Sequence, residues 1–126
     1  LTSDETTDDS LNFIRSLGKE PIMAVDYAGF IGSRLIDVFL NEVHKLIEAG
    51  NKPEEIDKLC TLCFGHPMGP CRLLDLAGAD IACNGMEIMA RDFGDFYKPH
   101  PLLKKRVLAG LLGEKTGRGF YSYEKK

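Results

Sequence analysis

The chain has 126 residues, 44% of them hydrophobic and 28% charged, with a net charge of −3 at pH 7. That is one domain's length with an ordinary globular composition, and it carries no basic excess of the kind that marks a nucleic-acid partner. It contains no apolar run of about 18 residues and no secretory leader pattern, so neither a membrane span nor export is predicted, and its four cysteines read as reduced thiols of a cytoplasmic protein.

Ser3-Asp4-Glu5 predicts a helix start, with a capping serine and acids in the first turn. Leu11, Ile14 and Leu17 follow at helical spacing, and Gly18 and Pro21 end the helix. Ile22-Met23-Ala24-Val25 predicts a short buried strand. A helix followed by one strand with no sheet to join is the pattern left at the C-terminal edge of an α/β domain. Together with an opening at Leu1 rather than methionine, it predicts a piece of a longer polypeptide.

Phe30 to Ala49 predicts the longest helix, about 30 Å at 1.5 Å per residue. Leu35, Phe39, Val43 and Leu46 form its apolar stripe, widened by Ile36, Leu40 and Ile47. Arg34, Asp37, Asn41, His44 or Lys45, and Glu48 fall on the opposite, solvated side. Pro53, Glu54 and Glu55 open the next helix, with Ile56, Leu59, Cys60 and Cys63 facing in.

Gly65-His66-Pro67-Met68-Gly69-Pro70 packs two glycines and two prolines into six residues, which predicts a rigid corner between buried segments. The helix that restarts at Leu73 and Leu74 runs to about Phe93, with Gly78 and Gly85 marking a bend or a close backbone approach. A loop to His100 precedes a short helix from Pro101, with Leu102, Leu103, Val107, Leu108 and Leu111 inward and Lys104, Lys105 and Arg106 solvated. Phe120, Tyr121 and Tyr123 form a closing aromatic anchor. Glu124-Lys125-Lys126 reads as a frayed end or the start of a linker.

The residues offer no self-contained active site. Cys60-Thr61-Leu62-Cys63 lies within a helix without a second pair, so no metal site is predicted. Gly113-Glu114-Lys115-Thr116 resembles a phosphate loop but lacks the glycine before its lysine. His44, His66 and His100 have no nucleophile beside them. Asp75 and Asp80, within a leucine-rich helix, need hydrogen-bond donors, which the backbone at the helix start is expected to supply.

Several stretches together resemble the C-terminal domain of the 3-hydroxyacyl-CoA dehydrogenases, of the 3-hydroxybutyryl-CoA dehydrogenase type. They are Gly29-Phe30-Ile31 with Arg34-Leu35 and Asn41-Glu42, Pro53-Glu54-Glu55-Ile56-Asp57, and the corner 65–70 with Leu74-Asp75 and Gly78-Ala79-Asp80. Pro101-Leu102-Leu103 and Lys115-Thr116-Gly117-Arg118-Gly119-Phe120-Tyr121 complete the set. The resemblance implies a mainly α fold of the 6-phosphogluconate dehydrogenase C-terminal-like type, in residues 28–126. Residues 1–27 would be the last helix and strand of an NAD-binding Rossmann domain.

It further implies an enzyme that oxidises L-3-hydroxyacyl-CoA to 3-ketoacyl-CoA with NAD, in fatty acid β-oxidation. The catalytic histidine and glutamate would lie upstream, leaving this chain alone inactive. The helical domain would close over acyl-CoA and form a homodimer, and in some relatives an enoyl-CoA hydratase follows. Ser33 stands where the family has a substrate-holding asparagine, and Ala28 where it has a proline. Lys115 matches the family's lysine near the cofactor, where a cation attracts NAD phosphates or orders the loop. The shorter Ser33 keeps two alternatives open: a non-catalytic helical assembly module, and a relative acting on sugar acids, of the gulonate dehydrogenase type.

Overall fold

A computed structural model describes residues 2–123; Leu1 and the closing Glu124-Lys125-Lys126 lie outside the described residues. Six α-helices account for the architecture: α1 (Asp4–Ser16), α2 (Gly32–Glu48), α3 (Pro53–Cys63), α4 (Pro70–Ala77), α5 (Ala79–Phe93) and α6 (Pro101–Leu108). Single 3-10 turns cover Asp95–Tyr97 and Glu114–Thr116. Among the described residues the only β pairing is two isolated bridges, Gly113 to Arg118 and Arg118 to Ser122. The fold is thus mainly α, as the sequence predicts.

The Ser3 side chain caps α1 by accepting from the Thr6 amide at 3.2 Å. No residue of α1 is buried. The predicted strand 22–25 is a correction: the segment has no regular secondary structure, and Ile22, Met23 and Val25 are all exposed. A strand exists through its ladder partner, and none is present among the described residues.

Helix α2 is the centre of the domain, packed against α4, α5 and α6. Leu40 joins Leu74, Ala79, Ala82, Cys83, Met86 and Leu103 in one core cluster, and Val43 joins Ile56, Cys60 and Cys71 in a second. Phe120, from the closing segment, packs on both.

The buried face of α2 is rotated from the predicted one. Asp37, Asn41 and His44, expected in solvent, are buried, whereas Leu35 is 70% exposed. The polar residues are inside because most have partners there. Asn41 donates to the Lys98 carbonyl at 2.9 Å and accepts from the His100 amide at 3.0 Å. His44 Nδ1 donates to the Leu40 carbonyl at 2.7 Å. These contacts offset the cost of burying polar groups.

The corner after α3 forms as predicted, and Asp57 explains it. The Asp57 carboxylate accepts the amides of Cys71 at 2.7 Å and Arg72 at 3.0 Å, two of the orphan donors at the start of α4. A Cβ on Gly69 would fall inside the Asp57 side chain. The single helix predicted beyond the corner is instead two, α4 and α5, because Gly78 takes φ +104 between them. Helix α6 ends at Leu108, which is 88% exposed rather than inward. Leu59 and Cys63 of α3, expected inside, are exposed.

Candidate functional site

The approach to α2 is sharply bent. Gly29 takes φ +78 and Phe30 φ +44, the latter a left-handed conformation that a bulky residue rarely adopts. Gly29 is required by space as well: a Cβ there would come within 2.6 Å of the Met89 sulfur. Arg34 steadies this bend. Its guanidinium lies 4.2 Å from the Phe93 ring centre and 5.2 Å from that of Tyr27, and it donates to the Tyr97 hydroxyl at 3.0 Å.

The bend delivers Ser33, exposed, to the rim of a groove of about 310 Å³ between α2, α4 and α5. Ile36, Leu40, Leu74, Ala77 and Ile81 supply most of its apolar wall. Asp37, one helical turn after Ser33, also lines it and is only 5% exposed. Burial pushes the Asp37 carboxyl up to about 6.

Lys115 sits in the 3-10 turn between Gly113 and Gly117. Its ammonium pairs with the Asp80 carboxylate and lies over Gly78, where a Cβ would come within 2.9 Å of Nζ. The Lys115 ammonium holds the Asp80 carboxyl below its ordinary range. Ser33 and Lys115 do not share a cavity: Ser33 lies at the start of α2, whose neighbouring residues meet Gly85, Met89 and Phe93 of α5, while Lys115 touches Gly78 and Asp80 at the other end of that helix.

The Lys115 loop is anchored by Asp75, 1% exposed. Its carboxylate accepts the amides of Phe120 and Tyr121, both at 2.9 Å, and the Tyr123 hydroxyl at 2.8 Å. For Asp75 the expected backbone donors are present but come from the closing segment, whereas Asp80 has the helix-start amides of Asp80 and Ile81. A Cβ on Gly113 or Gly119 would overlap Asp75. Tyr121 donates its hydroxyl to Asp57 at 2.7 Å, and burial first, then this bond, raises the phenol. Arg72 pairs with Glu114. Arg106, expected in solvent, instead lies 3.7 Å over the Phe120 ring with its side chain 13% exposed.

The histidines serve structure. No histidine lines the Ser33 groove. His100 accepts the Leu102 amide at 3.2 Å and so caps α6. His44 is fully buried, and desolvation lowers it to about 4. His66 rests edge-on against Phe39 and Phe64. Cys60, Cys71 and Cys83 are buried free thiols, each pushed up chiefly by burial. Among the described residues no three His, Cys, Asp or Glu side chains converge as a metal site. The groove between α2, α4 and α5 is an apolar cleft that can take a ligand's chain. Of the side chains lining the groove, only Asp37 and Ser33 carry hydrogen-bonding groups.

Asp37, Asp57 and Arg34 are given no site role by the sequence, although Arg34 and Asp57 lie in stretches that carry the resemblance and Asp37 is expected in solvent. The available signals were a charge inside the apolar spacing of α2, an acid one turn into a proline-started helix, and an arginine between tyrosine-bearing segments.

Comparison with known proteins gives the family. The family model for the 3-hydroxyacyl-CoA dehydrogenase C-terminal domain matches residues 29–123. The chain is 42% identical to a probable 3-hydroxybutyryl-CoA dehydrogenase of Bacillus subtilis, over 99% of this chain and 44% of the relative. It is 35% identical to the fatty acid oxidation complex subunit alpha of Shewanella frigidimarina, over 99% of this chain and 18% of that protein. The crystal structure of (S)-3-hydroxybutyryl-CoA dehydrogenase from Ralstonia eutropha superposes with a TM-score of 0.89 at 40% identity, covering 98% of this chain and 44% of that one. The chain spans less than half the length of the curated dehydrogenases it matches. It belongs to the family of 3-hydroxyacyl-CoA dehydrogenase C-terminal domains.

Proposed function

We propose that this chain is the substrate-side part of an NAD-dependent L-3-hydroxyacyl-CoA dehydrogenase acting in cytoplasmic fatty acid oxidation. Residues 28–126 are the helical domain, and residues 1–27 the edge of a cofactor domain that lies upstream with the catalytic histidine and glutamate. The observation that carries the reading is the family match over residues 29–123, with Ser33, the position that the resemblance assigns to substrate, exposed on a groove between α2, α4 and α5. Lys115, the position that it assigns to the cofactor side, lies apart, paired with Asp80 at the start of α5.

NAD, when bound, accepts the hydride as the 3-hydroxyl carbon becomes a ketone. Ser33 offers its hydroxyl to the substrate oxygen from the groove rim. The apolar wall of Ile36, Leu40 and Ile81 excludes water from the adjoining chain. Lys115, neutralised by Asp80, fits the ordering of its loop better than direct attraction of a phosphate. The proton of the substrate hydroxyl goes to the catalytic histidine that the family resemblance places upstream.

Two further surfaces support the reading. Leu46, Leu59, Leu62 and Phe64 are exposed around an apolar groove of about 530 Å³ between α2 and α3, which suits a homodimer contact. Ile22, Met23 and Val25 are exposed as the rim of a sheet would be without its neighbours. The likeness to the fatty acid oxidation complex subunit alpha is compatible with a hydratase in the same polypeptide. No helix among the described residues is long and apolar enough to cross a membrane.

The test is NADH oxidation by the full-length protein on addition of acetoacetyl-CoA, monitored at 340 nm. Turnover that depends on both compounds is the expected result. An inert protein would contradict the reading and favour the non-catalytic assembly module.

A further inference from the structure

Asp37 is the anomaly of the Ser33 groove. Ser33, Ile36, Asp37 and Leu40 follow at i, i+3, i+4 and i+7, so one stripe of α2 faces the cavity. Its other walls come from Leu73, Leu74, Ala77, Ile81 and Ala82. Asp37 is 5% exposed as a residue, and its carboxylate lines the groove, where it faces whatever occupies it; a ligand that displaces water from it without supplying a donor leaves it unpaired, which is costly.

The carboxylate of Asp75 and the amide of Asn41, both buried, have found theirs. Asp75 has three donors, and both amide atoms of Asn41 are used. Asp37 has no hydrogen bond or ion pair among the described residues, and desolvation alone governs its charge. Across from it stands Gly85 of α5, where a Cβ would come within 3.3 Å of the carboxylate Oδ2. The glycine leaves the carboxylate's side of the groove open.

We infer that Asp37 is a specificity-determining residue that fits this groove to an acyl group carrying a hydrogen-bond donor on its chain, rather than to a plain alkyl chain. This rests on the acyl-CoA reading above. With Ser33 at the rim holding the reacting end, the acyl tail extends one helical turn inward and meets Asp37. A hydroxyl or other donor on the tail satisfies the carboxyl, while an alkyl tail leaves it buried and unpaired. Sites with a buried hydrogen-bonding group discriminate strongly against ligands that lack the partner.

The experiment compares kcat/KM of the full-length protein, with NAD, for 3-hydroxypentanoyl-CoA and 3,5-dihydroxypentanoyl-CoA. The wild type is expected to favour the dihydroxy substrate by about tenfold or more. Asp37→Leu should reverse the ranking, raising kcat/KM for the alkyl substrate and lowering it for the other. Asp37→Asn, which keeps an acceptor oxygen, should retain part of the preference and decides the matter if the leucine variant does not fold. Equal use of both substrates by the wild type overturns the inference and leaves the dehydrogenase reading intact. So does an equal change for both in the variants, which would assign Asp37 a partner elsewhere in the longer protein. Turnover of neither substrate overturns the dehydrogenase reading, and the inference with it.

Discussion

The hydroxyl of Tyr121 donates to the carboxylate of Asp57 across 2.7 Å, tying the closing segment to a helix 64 residues earlier. The same carboxylate holds the first amides of α4, so one acid fixes both the corner and the chain end. Tyr121→Phe removes one bond to a charged acceptor and should cost about 1.5 to 3 kcal/mol of unfolding free energy. Asp57→Ala, which also strands the Cys71 and Arg72 amides, should cost more. Urea unfolding of the two variants checks the order.

Glycine positions separate the anchored loop from the free ones. Gly119→Ala places a Cβ on the Asp75 carboxylate and should displace the segment that positions Lys115, with a loss of several kcal/mol. Gly110→Ala meets open space and strains only a backbone at φ +72, so it should cost about 1 to 2 kcal/mol. Thermal unfolding midpoints of both variants give the comparison, and equal losses would contradict the clasp around Asp75.

Two buried groups pull the acid stability in opposite directions. Asp37 is raised to about 6, so its neutral form suits the fold. Its contribution is fully present below the unfolded value near 3.9 and is lost as pH rises towards 6. His44 is lowered to about 4, so protonation opposes folding. Its contribution is present above about 6.5 and is lost as pH falls towards 4. Asp37→Asn should therefore steepen the loss of stability between pH 6 and 4, and His44→Gln should flatten it. Unfolding free energies measured at intervals across that window, relative to the wild type, test both signs.

Much of the fold is legible in the sequence because its signals are local. The Ser3 cap, the proline-started α3 and the glycine–proline break at 65–70 are each readable from residues within one turn, although Asp57 completes the corner from 14 residues away. The face of α2 is not, because its burial depends on groups far along the chain. Asn41 goes inside for the Lys98 carbonyl and the His100 amide, which hydropathy does not register. Leu35 and Leu62 stay outside although apolar, and Arg106 goes inside to cover Phe120. The strand at 22–25 has the right composition, but a strand is a property of a pair. At the candidate site, Ser33 and Lys115 are visible only through family resemblance, since a lone serine or lysine carries no local signal.

The measurement that tests the central claim most directly is acetoacetyl-CoA-dependent NADH oxidation by the full-length protein beside its Ser33→Ala and Ser33→Asn variants. The account predicts turnover by the wild type and a fall in kcat/KM of about tenfold for alanine, the cost of roughly one substrate hydrogen bond. It predicts activity at or above the wild-type level for asparagine. An alanine variant indistinguishable from an active wild type would remove Ser33 from the substrate, and silence in all three would contradict the dehydrogenase.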